Sequence, residues 1–254
     1  NYFIYEKTAK EVMDQLTAVA DEACRETEQK LSDYYDEYCE RTSLPKKEMS
    51  WNVQVYSLED YLKRLRNRGI DPAQCIEQTF KTYEHLELRM RCFKAVEELQ
   101  KLDPEQGAKV IIFYAPPYLP HNYLKEESTR DRLLQHVIQE AVDKTAASTG
   151  ETFVFKKFFP YLADGSFLSL HETDEEVSAF TDNFPGWDVI GTIPFKEIRE
   201  LNIPSVNIGV YGKDGHKWTE RVYKPYTFHV LPELIQQTTM HLLHSYRLDI
   251  RTNG

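Results

Sequence analysis

The run 203–208, Ile-Pro-Ser-Val-Asn-Ile, constrains this chain most, because it is short, rich in β-branched residues and followed at once by Gly209, Gly212 and Gly215. It reads as a buried strand feeding a glycine-bearing loop. That loop delivers His216, Lys217, Glu220 and Arg221 close together. In open α/β sheets the loops at the carboxyl ends of strands carry the chemistry, since the sheet fixes the loop and glycines let its backbone approach a ligand. Function is therefore sought first around His216.

Spacing alone leaves two readings of that loop open. An imidazole can ligate a metal, but a histidine on a loop is more often solvated or hydrogen-bonded. His216 and Glu220 would share a face if they lay on a helix, and Gly212 and Gly215 argue against a helix there. Lys213, Lys217 and Arg221 suit an anionic group or a wet surface equally well.

Composition narrows the classes. With 41 acidic against 31 basic residues the formal net charge is −10, and no Lys/Arg block is long enough to track a phosphate backbone. Nucleic acid is excluded as the expected partner. No apolar run approaches the roughly 20 residues that span a bilayer, and the first residues lack a signal-peptide layout, so the expectation is a cytoplasmic protein without membrane contact. Cys24, Cys39, Cys75 and Cys92 fall in helical segments without a C-x-x-C pair, which favours reduced thiols over a disulfide framework or thiolate zinc site. The start on Asn1 within an aromatic run suggests a fragment or trimmed chain.

Taken in order, residues 2–5 suit a short strand, and Thr8 can cap a long helix reaching about residue 41. Residues 51–56 alternate as a strand with one covered face, so a β-α-β unit is the simplest reading. Ser57 can cap a helix over 58–68 that Gly69 closes, and Asp71-Pro72 opens another to about residue 102. Residues 108–114 suit a central strand, halted by Pro116, Pro117 and Pro120, where a domain boundary is expected. His121 ends this segment as a secondary candidate. An amphipathic helix is expected over 127–149, then strands over 153–155 and 187–190, with an acidic excursion over 172–182 between them. Asp164 reads either as a helix cap for 166–170 or as a carboxylate at a strand end. A short helix over 194–201 and a terminal helix over 231–248 complete the chain; His241 and His244 lack an acidic third ligand.

Five segments carry a resemblance: Phe-Tyr-Ala-Pro-Pro-Tyr-Leu-Pro-His at 113–121, Ala-Asp-Gly-Ser-Phe-Leu at 163–168, Ile-Pro-Phe-Lys-Glu-Ile at 193–198, the run 201–231, and within it His-Lys-Trp-Thr-Glu-Arg-Val at 216–222. In these the chain resembles the co-catalytic zinc metallopeptidases of the aminoacylase, carboxypeptidase and succinyl-diaminopimelate desuccinylase type, in a branch tied to arginine utilisation. The resemblance implies an α/β fold: an α+β lid domain of dimerising type over 1–114, then the carboxy-terminal part of a catalytic α/β domain over 115–254. It implies that His216 is the last zinc ligand, that Glu220 supports its loop and that Asp164 lines the cleft. Lys217, Arg221 and His121 are the expected substrate contacts, and the substrate is a small amino-acid-derived amide or peptide.

The chain departs from that family in one large respect. A two-metal hydrolase needs a bridging carboxylate and a base, yet no His-x-Asp occurs, and Glu97-Glu98, Glu126-Glu127 and Glu175-Glu176 are misplaced for the family's Glu-Glu pair. The isolated chain is therefore expected to be inactive. The competing expectation is a non-catalytic dimerisation, partner-binding or anion-binding module.

Overall fold

Thr8 starts a 34-residue helix with a capping box: its hydroxyl accepts the Glu11 N–H at 3.2 Å while the Glu11 carboxylate accepts the Thr8 N–H at 2.8 Å. The computed structural model describes residues 7–48, 52–118, 120, 122–156, 164–190 and 193–252, without the side chains of Asp164 and 246–252. The expected strand over 2–5 lies outside these residues. The elements run α1 (Ala9–Thr42), β1 (Gln54–Ser57), α2 (Leu58–Asn67), α3 (Pro72–Thr82), α4 (Leu88–Leu102), β2 (Lys109–Ile112) and α5 (Thr129–Thr149). There follow α6 (Asp174–Thr181), α7 (Phe195–Leu201), β3 (Gly212–Lys213), β4 (Arg221–Val222) and α8 (Leu231–Thr252). The class is mixed α/β and mostly helical.

The chain divides into two compact units, Asn1–Tyr118 with Glu172–Ile193, and Leu119–His171 with Pro194–Gly254. In the first, β1 and β2 pair in parallel, Gln54 opposite Lys109 and Ser57 opposite Ile112. Parallel strands need a long crossover, and α2, α3 and α4 supply it. Ser57 caps α2 by accepting the Asp60 N–H at 3.1 Å, and Asp71 caps α3 with Pro72 at its first turn. Both α1 and α2 pack on the strand pair. Asn183 ties the unit together: its Oδ1 accepts the Glu59 N–H at 3.0 Å and its carbonyl accepts the Tyr114 N–H at 2.8 Å.

The single helix expected from 71 to about 102 is two helices, α3 and α4, packed against each other. No glycine or proline marks the break at 83–87. Arg91 stabilises it by donating its Nε–H to the carbonyls of Tyr83 at 3.1 Å and Leu86 at 3.2 Å. The acidic excursion is corrected too: α6 is a helix with its own capping box, Thr173 with Glu176, and it packs on α1. Residues 187–190 form turns instead of resuming a sheet.

The second unit is built on α5 and α8, which pack against each other. Leu134, Ile138, Ala141 and Val142 of α5 are buried with Leu124 and Leu234, and Phe153, Phe155, Val206 and Ile208 pack onto that cluster. Gly150 ends α5 at φ +74°. The expected strands over 153–155 and 203–208 are absent: these residues belong to no ladder among the described residues. Their alternation records burial of one side of an extended segment on helices, not pairing. All four cysteines are free, two buried and two half-buried.

A fully buried carboxylate, Asp103, closes the crossover of the first unit at the end of α4. It accepts hydrogen bonds from Tyr61 Oη at 3.2 Å, Arg68 Nη1 at 3.2 Å and the Glu105 N–H at 3.1 Å, with Lys109 Nζ at 3.4 Å. Glu105 in turn binds Arg64, and Arg68 at 2.9 Å. Burial pushes the Asp103 carboxyl up, but the Glu105 N–H, Lys109 and the Tyr61 hydroxyl together hold it below the usual carboxylate range. A depressed folded pKa contributes stability above the unfolded value, and that contribution disappears as pH falls through the folded one. Asp103→Asn should lower unfolding free energy by about 3–5 kcal/mol at neutral pH. Urea titrations at stepped pH should also show a shallower acid-side loss in the variant than in the parent.

Candidate functional site

Two features of the second unit gather the residues singled out from the sequence. The first is a hairpin. Strands β3 and β4 pair antiparallel, Gly212 opposite Val222 and Lys213 opposite Arg221. A Cβ at Gly212 would strike the Arg221 carbonyl oxygen, so the backbones approach this closely only with glycine there. The glycine-rich loop is thus the turn of a hairpin and not the exit of a paired strand.

Side chains within the turn brace it. The Asp214 carboxylate accepts hydrogen bonds from Thr219 Oγ1 at 3.1 Å and from Arg221, whose Nη1 also donates to the Thr219 carbonyl at 3.1 Å. Glu220 Oε2 accepts the backbone N–H of His216 at 3.0 Å. Glu220 therefore holds the His216 main chain and not its ring, while the Arg221 guanidinium is engaged inside the turn. Asp214 and His216 both sit in the left-handed region, at φ 58° and 61°. Such a conformation costs an L-residue roughly 1–2 kcal/mol, and the bracing offsets it.

The outcome is an exposed imidazole. His216, Lys217 and Glu220 are exposed, Trp218 is 102% exposed and Tyr211 60%. Among the described residues no group of three His, Cys, Asp or Glu could hold a metal ion. The donors among the described residues therefore do not by themselves fit zinc; His216 offers a single nitrogen.

The second feature is a polar node that the sequence reading missed. Asn122 Nδ2 donates to the Gly165 carbonyl at 2.9 Å and to Ser205 Oγ at 3.0 Å. It thereby joins the Pro-rich segment, the Asp-Gly-Ser turn and the start of the 203–208 run. A Cβ on Gly165 would lie 2.5 Å from Ser205 Oγ, so this turn requires glycine. Asp164 opens the short 3-10 turn Asp164–Phe167, and His121 lies outside the described residues. The Tyr123 carbonyl, next along the chain, contacts His171 Nε2 at 2.9 Å. Burial, then Lys125, pushes the His171 imidazole below its ordinary pKa, which favours the neutral ring. Neither Asn122 nor His171 stands in a recognisable spacing; each is defined only by a partner distant in sequence. His241 Nδ1 lies 3.4 Å from Glu140 across α5 and α8, an ordinary surface pair.

The node makes a coupling prediction. Gly165→Ala should destabilise the protein by about 1–3 kcal/mol through overpacking against Ser205. In a Ser205→Gly background the same substitution should cost much less. A double-mutant cycle on thermal unfolding measures the difference, and simple additivity would disprove the contact.

The chain is similar to the carboxy-terminal portion of Protein RocB of Bacillus subtilis (strain 168), with 80% identity over 250 residues, 98% of this chain and 44% of that protein. It is also 29% identical over 245 residues, 96% of this chain and 43% of the relative, to Uncharacterized protein YqjN of the same organism. The chain thus spans less than half the length of the curated relatives it matches. No family model matches it, and no solved structure matches it.

Proposed function

We propose that this chain is the part of a RocB-like amide or peptide hydrolase of arginine utilisation that presents His216, as a zinc ligand, to a site completed by the rest of a longer protein. The observation that carries this reading is the hairpin: an exposed His216 whose main chain is braced at a left-handed position, two residues from a fully exposed Trp218. Exposed rings gathered on one hairpin mark a surface that another surface covers. The 80% match to RocB supports the arginine connection.

In this reading the chain's own residues do limited and specific work. Glu220 fixes the main chain of His216, and Asp214 with Arg221 keeps the turn closed. His216 would supply an imidazole nitrogen, a donor that zinc takes. Lys217, exposed next to it in the chain, suits a substrate carboxylate. The bridging carboxylate and the general base come from outside this chain, which alone is inactive. The substrate class is an amino-acid-derived amide or peptide, residues 1–114 serve as the dimerising lid, and the protein acts in the cytoplasm. No helix of the described residues is long and apolar enough to cross a membrane.

The competing module, in which the same exposed rings bind a partner without catalysis, is favoured by Trp218 alone and separates cleanly in experiment. On the full-length protein, zinc content by mass spectrometry and hydrolysis of Nα-acyl amino acids, Nα-acetyl-L-arginine among them, should both respond to His216→Ala. The hydrolysis rate should fall by at least the roughly hundredfold that loss of an outer metal-site partner can cause. Unchanged zinc stoichiometry in this variant would remove the hydrolase reading and leave the module.

A further inference from the structure

The first unit contains a second place where chemistry converges, far from His216 in sequence and unused by the reading above. Between the end of α6, the following turn, α2 and α3 lies a cavity of about 250 Å³. Its floor is apolar: Leu62, Ile76, Phe184 and Trp187 are each no more than 9% exposed. Its rim is charged, with Arg66 on α2 and Asp182 and Asp188 on the turn after α6.

Those three rim charges are available. Among the described residues the side chains of Arg66, Asp182 and Asp188 make no hydrogen bond or ion pair, and all three are exposed. The other rim charges satisfy each other, Lys63 Nζ lying 2.5 Å from Glu59 Oε1. All of them act on one point: partial desolvation at the cavity rim raises the Asp182 carboxyl above its usual range although the residue is exposed, Glu59 and Asp188 add to the rise, and Lys63 and Arg66 oppose it. A carboxylate crowded by two others and flanked by an unpaired guanidinium favours a ligand with both signs.

The size and chemistry select further. The cavity lies just below the usual range for ligand pockets, about 300–1,000 Å³, which excludes nucleotides and favours a ligand of amino-acid size. An apolar floor rejects a charged side chain, because burying that charge unpaired is costly. We infer that this cavity binds a free α-amino acid with an aliphatic side chain, its ammonium group at Asp182 and Asp188, its carboxylate at Arg66 and its side chain against Ile76, Phe184 and Trp187.

Ammonium binding selects the ionised Asp182, so affinity should rise as pH rises through its elevated pKa. Calorimetric titration of the full-length protein with L-leucine tests the site. Saturable one-to-one binding is expected, with isoamylamine and 4-methylpentanoate, the two halves of the zwitterion, each weaker by about tenfold or more. L-arginine should also bind more weakly than L-leucine. Asp182→Asn and Arg66→Gln should each weaken L-leucine by about tenfold, and Ala73→Phe, at an exposed rim position, should abolish binding while circular dichroism stays unchanged. His216→Ala should leave L-leucine binding intact, so this site and the hydrolase reading can fail separately. Absence of saturation, equal binding by folded Ala73→Phe, or indifference to both rim variants would overturn the inference.

Discussion

The first unit depends on burying the Asp103 carboxylate at the end of α4 without leaving any charge around it unmatched. Two parallel strands can be neighbours only if the intervening helices return the chain to the same end of the sheet, and Asp103 sits where that return is completed. It meets Arg68, just past the end of α2, and Lys109 of β2 at once, while the Tyr61 hydroxyl and the Glu105 N–H occupy its remaining acceptor sites. Buried ion pairs contribute little unless every lone pair is satisfied, because desolvation of each charge opposes the attraction. Here each group makes sense only with the others present, which fixes the direction of α2 against β2. Because α2 carries Leu62 and Arg66, the same network places one wall of the apolar cavity.

Local chemistry was legible in the sequence wherever a single turn decided it. Thr8, Ser57, Asp71 and Gly150 marked helix ends because a cap needs only its own next few residues. The break at 83–87 was not legible, since the group that stabilises it, the Arg91 guanidinium, lies outside it in sequence. Strands failed for a different reason. Residues 203–208 and 153–155 have the apolar pattern of strands, and Val206, Ile208, Phe153 and Phe155 do face a core. That core is helical. Period-two burial states which side of an extended segment is dry, not what its backbone bonds to.

The same distinction separates what could and could not be read at the candidate site. His216, Glu220 and Arg221 were visible as a spacing, and they do lie in one turn. Their partners were not visible: Glu220 takes the His216 amide instead of its ring, and Arg221 closes on Asp214. Asn122 carries no motif at all, yet it joins three segments that are far apart in the chain, because an amide side chain can donate to a carbonyl and a hydroxyl simultaneously.

The hairpin raises a question of energetics that bears on function directly. Two consecutive constraints oppose its geometry: Asp214 and His216 occupy left-handed backbone conformations, and Trp218 is presented to water. Strain of this kind persists only when surrounding contacts over-determine it, and it concentrates at sites that act on something. The contacts that hold it, Asp214 with Thr219 and Arg221 and Glu220 with the His216 amide, are all polar and internal to the turn. They leave the imidazole and the indole unused by the hairpin itself. A turn needed only to reverse the chain could do so with asparagine and glycine at no comparable cost. The side chains kept here are those that gain energy only from a surface brought against them, so the cost of presenting them is offset only where such a surface meets the outward face of the turn.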